Sequence, residues 1–262
     1  MLQPLEDAGK LETLRRVRQR IGGVLSFAVQ TGYTKNNPIR DMQGAFQAPE
    51  REHFASLQPQ ELTEFIQRLG SYQGHQNTLG IIWLILLCAC RTGEARGAQA
   101  KEFDLDAAQW TVPLERMKKR RPHVFPLPSQ AIELLHPALA NLEPDDLVFP
   151  CPGTREQMAS ENIVLQAITK MGFKGRLTGH GIRACVATSL EEMGYPASVV
   201  KAQLAHSKDN LTDAAYLRGV HLEPRMKMMQ VWADTLDLMK QGLPIPGIAK
   251  ASGNIRKFER VA

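Results

Sequence analysis

Hydrophobic residues recur every three to four positions through most of the chain, which is the spacing of amphipathic α-helices. The spacing predicts helices over residues 11–30, 57–69, 160–171 and 178–194, with others beginning near 130 and after 223. Residues 81–90 differ, because these ten consecutive residues are all apolar. A membrane-spanning helix needs about 20 such residues, so we predict a core helix over residues 79–90 instead.

Two stretches carry residues typical of strands, interrupted by prolines. They are residues 103–113 and 123–127, and the basic sequence ERMKKRRP connects them. A short antiparallel sheet is the simplest interpretation, and a further short strand is predicted at 146–149. Taken with the helices, these strands predict a mainly α fold with a small antiparallel β-sheet, in the α+β class.

The length of 262 residues allows one large domain or two smaller ones. Residues 41–56 lack clear periodicity and contain Gly44 and Pro49, so they are predicted to hold an interdomain linker. Lysine and arginine exceed aspartate and glutamate by 32 − 27 = 5, a balance compatible with nucleic-acid binding but not diagnostic of it. The four cysteines form no CxxC pair and no signal-peptide pattern opens the chain, which favours a reducing cytosol without structural disulfides.

The polar residues of greatest chemical interest lie between 178 and 220. His180 and Arg183 are three residues apart, so they share one face of a helix. His206 follows an apolar helical segment, and Tyr216 lies ten residues beyond it. Such a set suits the binding of a phosphodiester and its attack by a phenol. Because the phenol has an ordinary pKa of about 10, it needs cations or a base nearby to act as a nucleophile.

Two basic residues elsewhere could complete this set. Arg91 directly follows the ten apolar residues, where its charge needs an anion; the alternative is an internal pair with Glu94. Lys118 lies in the basic connection between the predicted strands and could reach a leaving oxygen. The neighbouring Lys119 is separated from Lys118 only by strand register, so the choice between them stays open.

Further basic residues are candidates for contacts with DNA phosphates, with a solvated basic face as the alternative. They form one cluster in the first predicted helix and one in the connection between the strands: Arg15, Arg16, Arg18, Arg20, Lys119, Arg120 and Arg121.

The order Arg, Lys, HxxR, His and Tyr resembles that of the tyrosine recombinases, or phage-type integrases. The resemblance covers residues 11–240 and extends to RTGEARGAQ, ERMKKRRPHVFPL, LTGHGIRA, QLAHSKDNLTDAAYLR and MQVWADTLD, which are similar to the branch that inserts prophages and genomic islands. There are two departures. Cys88 and Ala89 stand where the family often has Thr-Gly, and the N-terminal part is shorter than usual.

The resemblance implies a tyrosine recombinase catalytic domain at 58–240, preceded by the last part of a helical core-binding domain at 1–48 and a linker at 49–57. Residues 241–262 would form a C-terminal tail. It also implies roles for single residues. Glu94 would support the first arginine, and the catalytic set would be Arg91, Lys118, His180, Arg183, His206 and the nucleophile Tyr216.

The implied reaction is metal-independent and needs no cofactor, because a 3′-phosphotyrosyl link conserves the energy of the broken bond. The implied partners are double-stranded DNA attachment sites and further copies of the chain in a tetramer on DNA, with room for DNA-bending accessory proteins and no role for a membrane. A cytoplasmic, nucleoid-associated bacterial location follows.

Three alternatives to a recombinase stay open: a topoisomerase-like nicking-closing enzyme, a non-catalytic DNA-binding accessory protein, and a metal-dependent phosphoesterase using His180 and His206. The arginines argue against the last, since metal sites favour carboxylates.

Overall fold

The computed structural model describes residues 2–42, 44–47, 57–117, 121–205 and 222–245. The chain divides into two units, Met1–His53 and Phe54–Ala262, and each is described by itself. In the part that is described, no helix is both long and apolar enough to span a membrane.

The first unit holds a short helix that the sequence did not predict, α1 (Gln3–Asp7), and the predicted helix α2 (Leu11–Gln30). Gly32, with a φ of +77°, turns the chain after α2. Asn37 then folds back on the helix, since its Nδ2 donates to the Gly22 carbonyl at 3.0 Å and to Ser26 Oγ at 2.9 Å. The periodicity therefore predicted the extent of α2 correctly, whereas the returning loop depends on a contact distant in sequence.

The second unit contains most of the helices and the sheet. Its elements are α3 (Pro59–Gly70), α4 (Gln76–Cys88), α5 (Thr92–Arg96), β1 (Phe103–Asp104), β2 (Gln109–Val112), β3 (His123–Pro126), α6 (Ser129–Leu139), α7 (Ile163–Lys170), α8 (Gly179–Glu192), α9 (Ala197–Gln203) and α10 (Leu222–Gln241). The predicted α+β class is thus confirmed.

Helix α4, which carries most of the apolar run, lies at the centre of the second unit and packs against α6, α7, α8 and α10. Its residues from Ile81 to Cys88 are buried except Trp83, as predicted for a core helix. Gly80 lets the ring of Phe149 approach, because a Cβ at this position would lie 2.2 Å from a ring carbon. The helix ends at Cys88, two residues before the predicted end, because Ala89 adopts a left-handed φ of +51°.

The three strands form one antiparallel sheet in the order β1-β2-β3, which confirms the predicted sheet. Trp110 stands opposite Phe103 on one side and Phe125 on the other, with ring centroids 5.2 and 5.0 Å apart. The Trp110 indole donates to buried Glu102 at 2.9 Å, and Arg116 pairs with the same carboxylate. The ion-paired carboxylate of Glu102 therefore stabilises the start of the sheet, and the stacked rings stabilise it across the three strands.

Three expectations were wrong in detail. Residues 146–149 do not form the predicted strand, because Pro144 and Pro150 flank so short a segment. Within it, Leu147 forms a single bridge with Gln99. The helix predicted from 160 begins at Ile163, since the first residues form a turn in which the Ile163 amide donates to the Ser160 carbonyl. The spacing of Met228, Val231, Trp232, Leu236 and Met239 also predicts one apolar face for the last helix, yet Val231 is 44% exposed.

Candidate active site

Arg91 and Glu94 form a local pair where α4 gives way to α5. Arg91 is the N-cap of α5, and its backbone amide donates to Glu94 Oε2 at 2.7 Å. Its guanidinium donates to the other carboxylate oxygen at 2.6 Å. Glu94 is buried, whereas a quarter of the Arg91 side chain is exposed. The buried carboxylate therefore holds Arg91 in place, while part of the Arg91 side chain stays accessible to solvent.

Arg183 reaches the same place from α8. It is buried, and its two terminal nitrogens donate to the carbonyl oxygens of Ala89 and Leu204. Ala89 lies two residues before Arg91, and Leu204 follows the last residue of α9. One guanidinium thus holds the ends of α4 and α9 together beside the Arg91–Glu94 pair.

The positive charge of Arg91 affects the pKa of Arg183. The pKa of Arg183 is lowered to about 10, first by burial and then by the positive charge of Arg91, while Glu94 acts in the opposite direction. Arg183 remains charged at neutral pH despite this repulsion. An anion placed beside both guanidinium groups would relieve it, and arginine geometry matches phosphate oxygens.

His180 is an exposed residue in the first turn of α8. Thr178 caps the helix, since its Oγ1 accepts from the Gly181 amide at 2.9 Å. Gly179 allows the start of α8 to pack closely against α5, because a Cβ there would lie 2.6 Å from Thr92 Oγ1. His180 consequently lines an open groove together with Thr92 and Gly93, the two residues that follow Arg91.

Three polar residues at this site were not identified from the sequence: His123, Gln203 and Arg225. Gln203 donates to the Cys88 carbonyl at 2.8 Å and accepts from Arg225 Nε at 2.9 Å. His123 Nε2 lies 3.1 Å from the Gln203 carbonyl oxygen. Burial lowers the pKa of His123 to about 3, with Arg225 adding to the effect, and burial lowers that of Arg225 to about 10. His123 and Gln203 fall within stretches that carry the resemblance, and Arg225 does not, but the bonds that join the three connect residues distant in sequence, which a local pattern does not reveal.

The structure describes only some of the predicted site residues. Arg91, Glu94, Arg183 and His180 lie around the junction of α4, α5 and α8, as given above. The remaining members lie outside the described residues: Lys118, Lys119, Arg120, His206 and Tyr216. Their assigned roles stay predictions.

The candidate DNA-binding residues that are described lie in both units. Arg15 and Arg16 each pair with Glu12 at 2.8 Å, and Arg20 is exposed. Arg18 donates to the Met42 carbonyl at 3.2 Å. In the second unit, Arg121 is half-buried just before β3. Arg15 and Arg16 therefore share one carboxylate, which leaves a positive balance on that face.

Among the residues described, no group of three or more His, Cys, Asp or Glu side chains is arranged to hold a metal ion. All four cysteines are free thiols, and burial raises the pKa of Cys88, Cys90 and Cys185.

The fold is similar to those of solved integrases. A lambda integrase dimer bound to a COC′ core site superposes with a TM-score of 0.59 at 17% identity, covering 84% of this chain and 63% of that one. The Tn1549 transposon integrase in complex with a circular intermediate DNA gives a TM-score of 0.60 at 12% identity, covering 86% and 82%. At these identities the likeness concerns the fold.

Sequence comparison gives nearer relatives. The integrase of Enterobacteria phage P4 is 33% identical over 253 residues, covering 90% of this chain and 58% of the relative. Prophage integrase IntA of Escherichia coli (strain K12) is 32% identical over 241 residues, covering 92% and 58%. The chain therefore spans less than two thirds of the length of these relatives.

Two family matches divide the chain in a similar way to the two units. Residues 1–45 match the phage integrase central domain, and residues 55–221 match the phage integrase family. The second match includes the arginine pair, the start of α8, and residues 118–120 and 206–221, which lie outside the described residues. The chain belongs to the phage integrase family, that is, to the tyrosine recombinases.

Proposed function

We propose that the chain is a site-specific DNA recombinase that cuts and rejoins DNA through a 3′-phosphotyrosyl intermediate, and so integrates or excises a prophage, genomic island or other mobile element. The observation that carries this proposal is the placing of Arg91 and Arg183 at the end of α4, where burial and, after it, the charge of Arg91 lower the pKa of Arg183. A scissile phosphate is an anion that would relieve this repulsion and accept hydrogen bonds from both.

In the proposed reaction, the Tyr216 phenol attacks the phosphorus in line and the 5′ oxygen leaves. Arg91, Arg183 and His206 donate to the non-bridging oxygens, where negative charge grows in the transition state. Lys118, or Lys119 in its place, protonates the departing oxygen, and His180 takes up or returns the proton of the phenol. Glu94 holds Arg91 in place through its amide and its guanidinium.

The same scheme accounts for rejoining. The phosphotyrosyl bond keeps the energy of the broken phosphodiester, so the reverse step needs neither a nucleotide nor a metal ion. A 5′-hydroxyl from a partner strand attacks this bond and releases Tyr216. Exchange between two duplexes then follows from the chemistry that cut them.

The proposed partners are double-stranded attachment sites and other copies of the chain. Residues 1–48 would form part of a core-binding domain, residues 49–57 a linker, residues 58–240 the catalytic domain and residues 241–262 a tail. Two similar structures hold a lambda integrase dimer on a core site and a tetramer on a Holliday junction, and they support a tetramer on DNA here. Chromosomal DNA as the substrate implies a bacterial cytoplasmic, nucleoid-associated location.

A covalent-capture experiment tests this proposal. The full chain is incubated in EDTA with a pool of nicked suicide duplexes of randomised core sequence, and protein–DNA adducts are isolated under denaturing conditions. We expect a covalent adduct that is lost in Tyr216→Phe. A wild-type chain that binds these duplexes without forming an adduct would instead indicate a non-catalytic accessory protein.

A second measurement separates recombination from nicking and closing. The captured sequence is placed on two distinguishable duplexes, and the products are scored for exchanged strands. A recombinase gives exchanged products, whereas a topoisomerase-like enzyme rejoins each strand to its original partner.

A further inference from the structure

Gln203 is the last residue of α9, three residues before His206, and it is fully buried. Its side-chain amide nitrogen donates to the carbonyl of Cys88 at 2.8 Å, and its Oε1 accepts from Arg225 Nε at 2.9 Å. Its backbone carbonyl accepts from His123 Nε2 across 3.1 Å. Every hydrogen bond named here joins Gln203 to a different element of the second unit.

Each of these partners borders a segment that carries a candidate catalytic residue. Cys88 ends α4, three residues before Arg91. Arg225 lies in the first turn of α10, nine residues after Tyr216. His123 begins β3, directly after the basic connection that contains Lys118. Gln203 therefore links the borders of three catalytic segments, and it lies itself at the border before His206.

The chemistry of these groups fixes their orientation. A carbonyl oxygen only accepts and a guanidinium only donates, so the amide nitrogen must face Cys88 and Oε1 must face Arg225. For the same reason the proton of neutral His123 must be on Nε2. Arg225 also donates to the Val124 carbonyl, which ties α10 to β3 independently of Gln203. The amide of Gln203 is thus held in one orientation by groups whose protonation state does not change near neutral pH.

We propose that Gln203 is a positioning residue for the cleavage reaction. Through Cys88 and Arg225 it fixes both borders of residues 206–221 relative to Arg91, and so aligns His206 and Tyr216 with the arginine pair. This inference rests on the proposed recombinase function. Attack on phosphorus requires the phenol within a few tenths of an ångström of its productive place, so small shifts of these borders slow the reaction strongly.

A residue that only stabilises the fold would behave differently. Its loss would lower the fraction of folded molecules, while each folded molecule would still cleave at the normal rate. Loss of a positioning residue lowers the cleavage rate of folded, DNA-bound molecules. The two roles are therefore separated by single-turnover kinetics at saturating protein, with the folded fraction measured by near-UV circular dichroism at the assay temperature.

The test compares Gln203→Met with Gln230→Met on a suicide duplex that the wild-type chain cleaves. Methionine keeps the approximate volume of glutamine and removes its hydrogen bonds. Gln230 is a matched control on α10, because it bonds to Ser129, Gln130 and Asp234 rather than to the borders of the catalytic segments. We expect Gln203→Met to cleave up to about 100-fold more slowly per folded molecule with unchanged DNA affinity, and Gln230→Met to cleave at the wild-type rate.

Two further variants keep the test decisive if Gln203→Met folds poorly. Gln203→Glu keeps an acceptor for Arg225 but loses the donor to Cys88, so an intermediate rate is expected. Arg225→Lys keeps the positive charge and leaves Gln203 in place but removes the Nε–H that donates to Gln203 Oε1, so slower cleavage per folded molecule is expected here too.

The outcomes also separate this inference from the function on which it rests. Wild-type cleavage with an unchanged rate in folded Gln203→Met or Gln203→Glu would overturn the positioning role alone. An equal loss of rate in Gln230→Met would overturn it as well. Absence of any wild-type adduct would overturn the proposed function and this inference together.

Discussion

Arg183 donates a hydrogen bond to the carbonyl oxygen of Ala89, the left-handed residue that ends α4 two positions before Arg91. Its other terminal nitrogen donates to Leu204, beyond the end of α9. Both acceptors are neutral carbonyl oxygens, so the guanidinium keeps its full positive charge while its two terminal nitrogens make these bonds. Arg183 can therefore join two chain segments and still present a positive potential to an anion.

Arg183→Lys is predicted to lower both stability and cleavage. Lysine keeps the charge but, as a compact ammonium on a flexible stem, cannot span the Ala89 and Leu204 carbonyls as the fork does. The free energy of unfolding should fall by about 1–3 kcal/mol, because a buried carbonyl loses its donor. Urea unfolding measures this change, and adduct formation should slow by about 100-fold or more.

The control for this change is Arg176→Lys, because Arg176 pairs with Glu61 at the surface with 44% of its side chain exposed. Exposed pairs contribute about 0–1 kcal/mol, so this variant should unfold almost as the wild type does. Equal stability losses in the two variants would contradict a special role for the Arg183 fork.

Glu94→Gln is predicted to destabilise the chain without weakening DNA binding. The carboxylate accepts from both the amide and the guanidinium of Arg91, and an amide can accept at only one of its two terminal atoms. The loss should be about 1–3 kcal/mol in the free energy of unfolding. DNA affinity should hold or rise, because a negative charge leaves the site, whereas cleavage should slow as Arg91 loses its support.

Glu64→Gln is the matched control for this prediction. Glu64 pairs with Arg68 at 2.6 Å on the exposed face of α3, where such a pair contributes about 0.3–0.5 kcal/mol. DNA affinity is measured by titration at fixed salt. A weaker affinity of Glu94→Gln would contradict the prediction and show that Glu94 contributes to DNA binding in a way other than by holding Arg91.

The parts of the site that were predictable from sequence are those with local patterns. Periodicity located α2 and α8, and the apolar run located α4. The alternative weighed for Arg91, an internal pair with Glu94, is present because Glu94 lies three positions after Arg91, in the first turn of α5. Gln203 and Arg225 gave no such signal. Their bonds connect residues 115 and 22 positions apart, so their importance arises only when the elements pack together.

The burial of His123 predicts a loss of stability in mild acid. Its pKa is about 3 in the folded chain against 6.5 for the ordinary imidazole, because burial and the charges of Arg225, Arg183 and Arg91 oppose protonation. Below pH 6.5 the unfolded chain therefore binds a proton that the folded chain does not. The stabilisation is present above pH 6.5 and is lost progressively as pH falls toward 3, by about 2 kcal/mol between pH 7 and pH 5.

Urea unfolding of the wild type and His123→Gln at both pH values isolates this contribution. Glutamine places a neutral N–H donor near the Gln203 carbonyl but does not titrate. Between pH 7 and pH 5, the free energy of unfolding of His123→Gln should therefore fall by about 2 kcal/mol less than that of the wild type. Carboxylates contribute equally to both proteins and cancel in the difference. Parallel pH dependence in the two proteins would show that His123 titrates normally in the folded chain.

Glu12→Gln is predicted to strengthen DNA binding if the basic face of α2 contacts phosphates. Hydrogen bonds from Arg15 and Arg16 lower the pKa of Glu12 to about 2, so its charge offsets theirs at neutral pH. Removing that charge should raise affinity, while Arg16→Gln should reduce the slope of log K against log salt by about 0.9 for one lost phosphate contact. Unchanged affinity and slope in both variants would identify a solvated face instead.

Gly179→Ala is predicted to separate the start of α8 from α5 and so to displace His180. The added Cβ would lie 2.6 Å from Thr92 Oγ1, which is closer than real Cβ atoms approach, and 3.3 Å from Val164 Cγ1, which is a tight contact. Relief of this overlap should lower the free energy of unfolding by about 1–3 kcal/mol and slow cleavage. Gly93→Ala is the control for stability, because a Cβ there meets nothing within 4 Å.

The cause of the Gly179→Ala defect can be isolated with a second substitution. Thr92→Ala removes the oxygen that the new Cβ would meet, so the double variant should recover about 0.5–3 kcal/mol relative to the sum of the single changes. Recovery of the cleavage rate together with stability would tie the position of His180 to the contact between Gly179 and Thr92. Strict additivity would mean that the overlap with Val164, or strain within α8 itself, causes the loss.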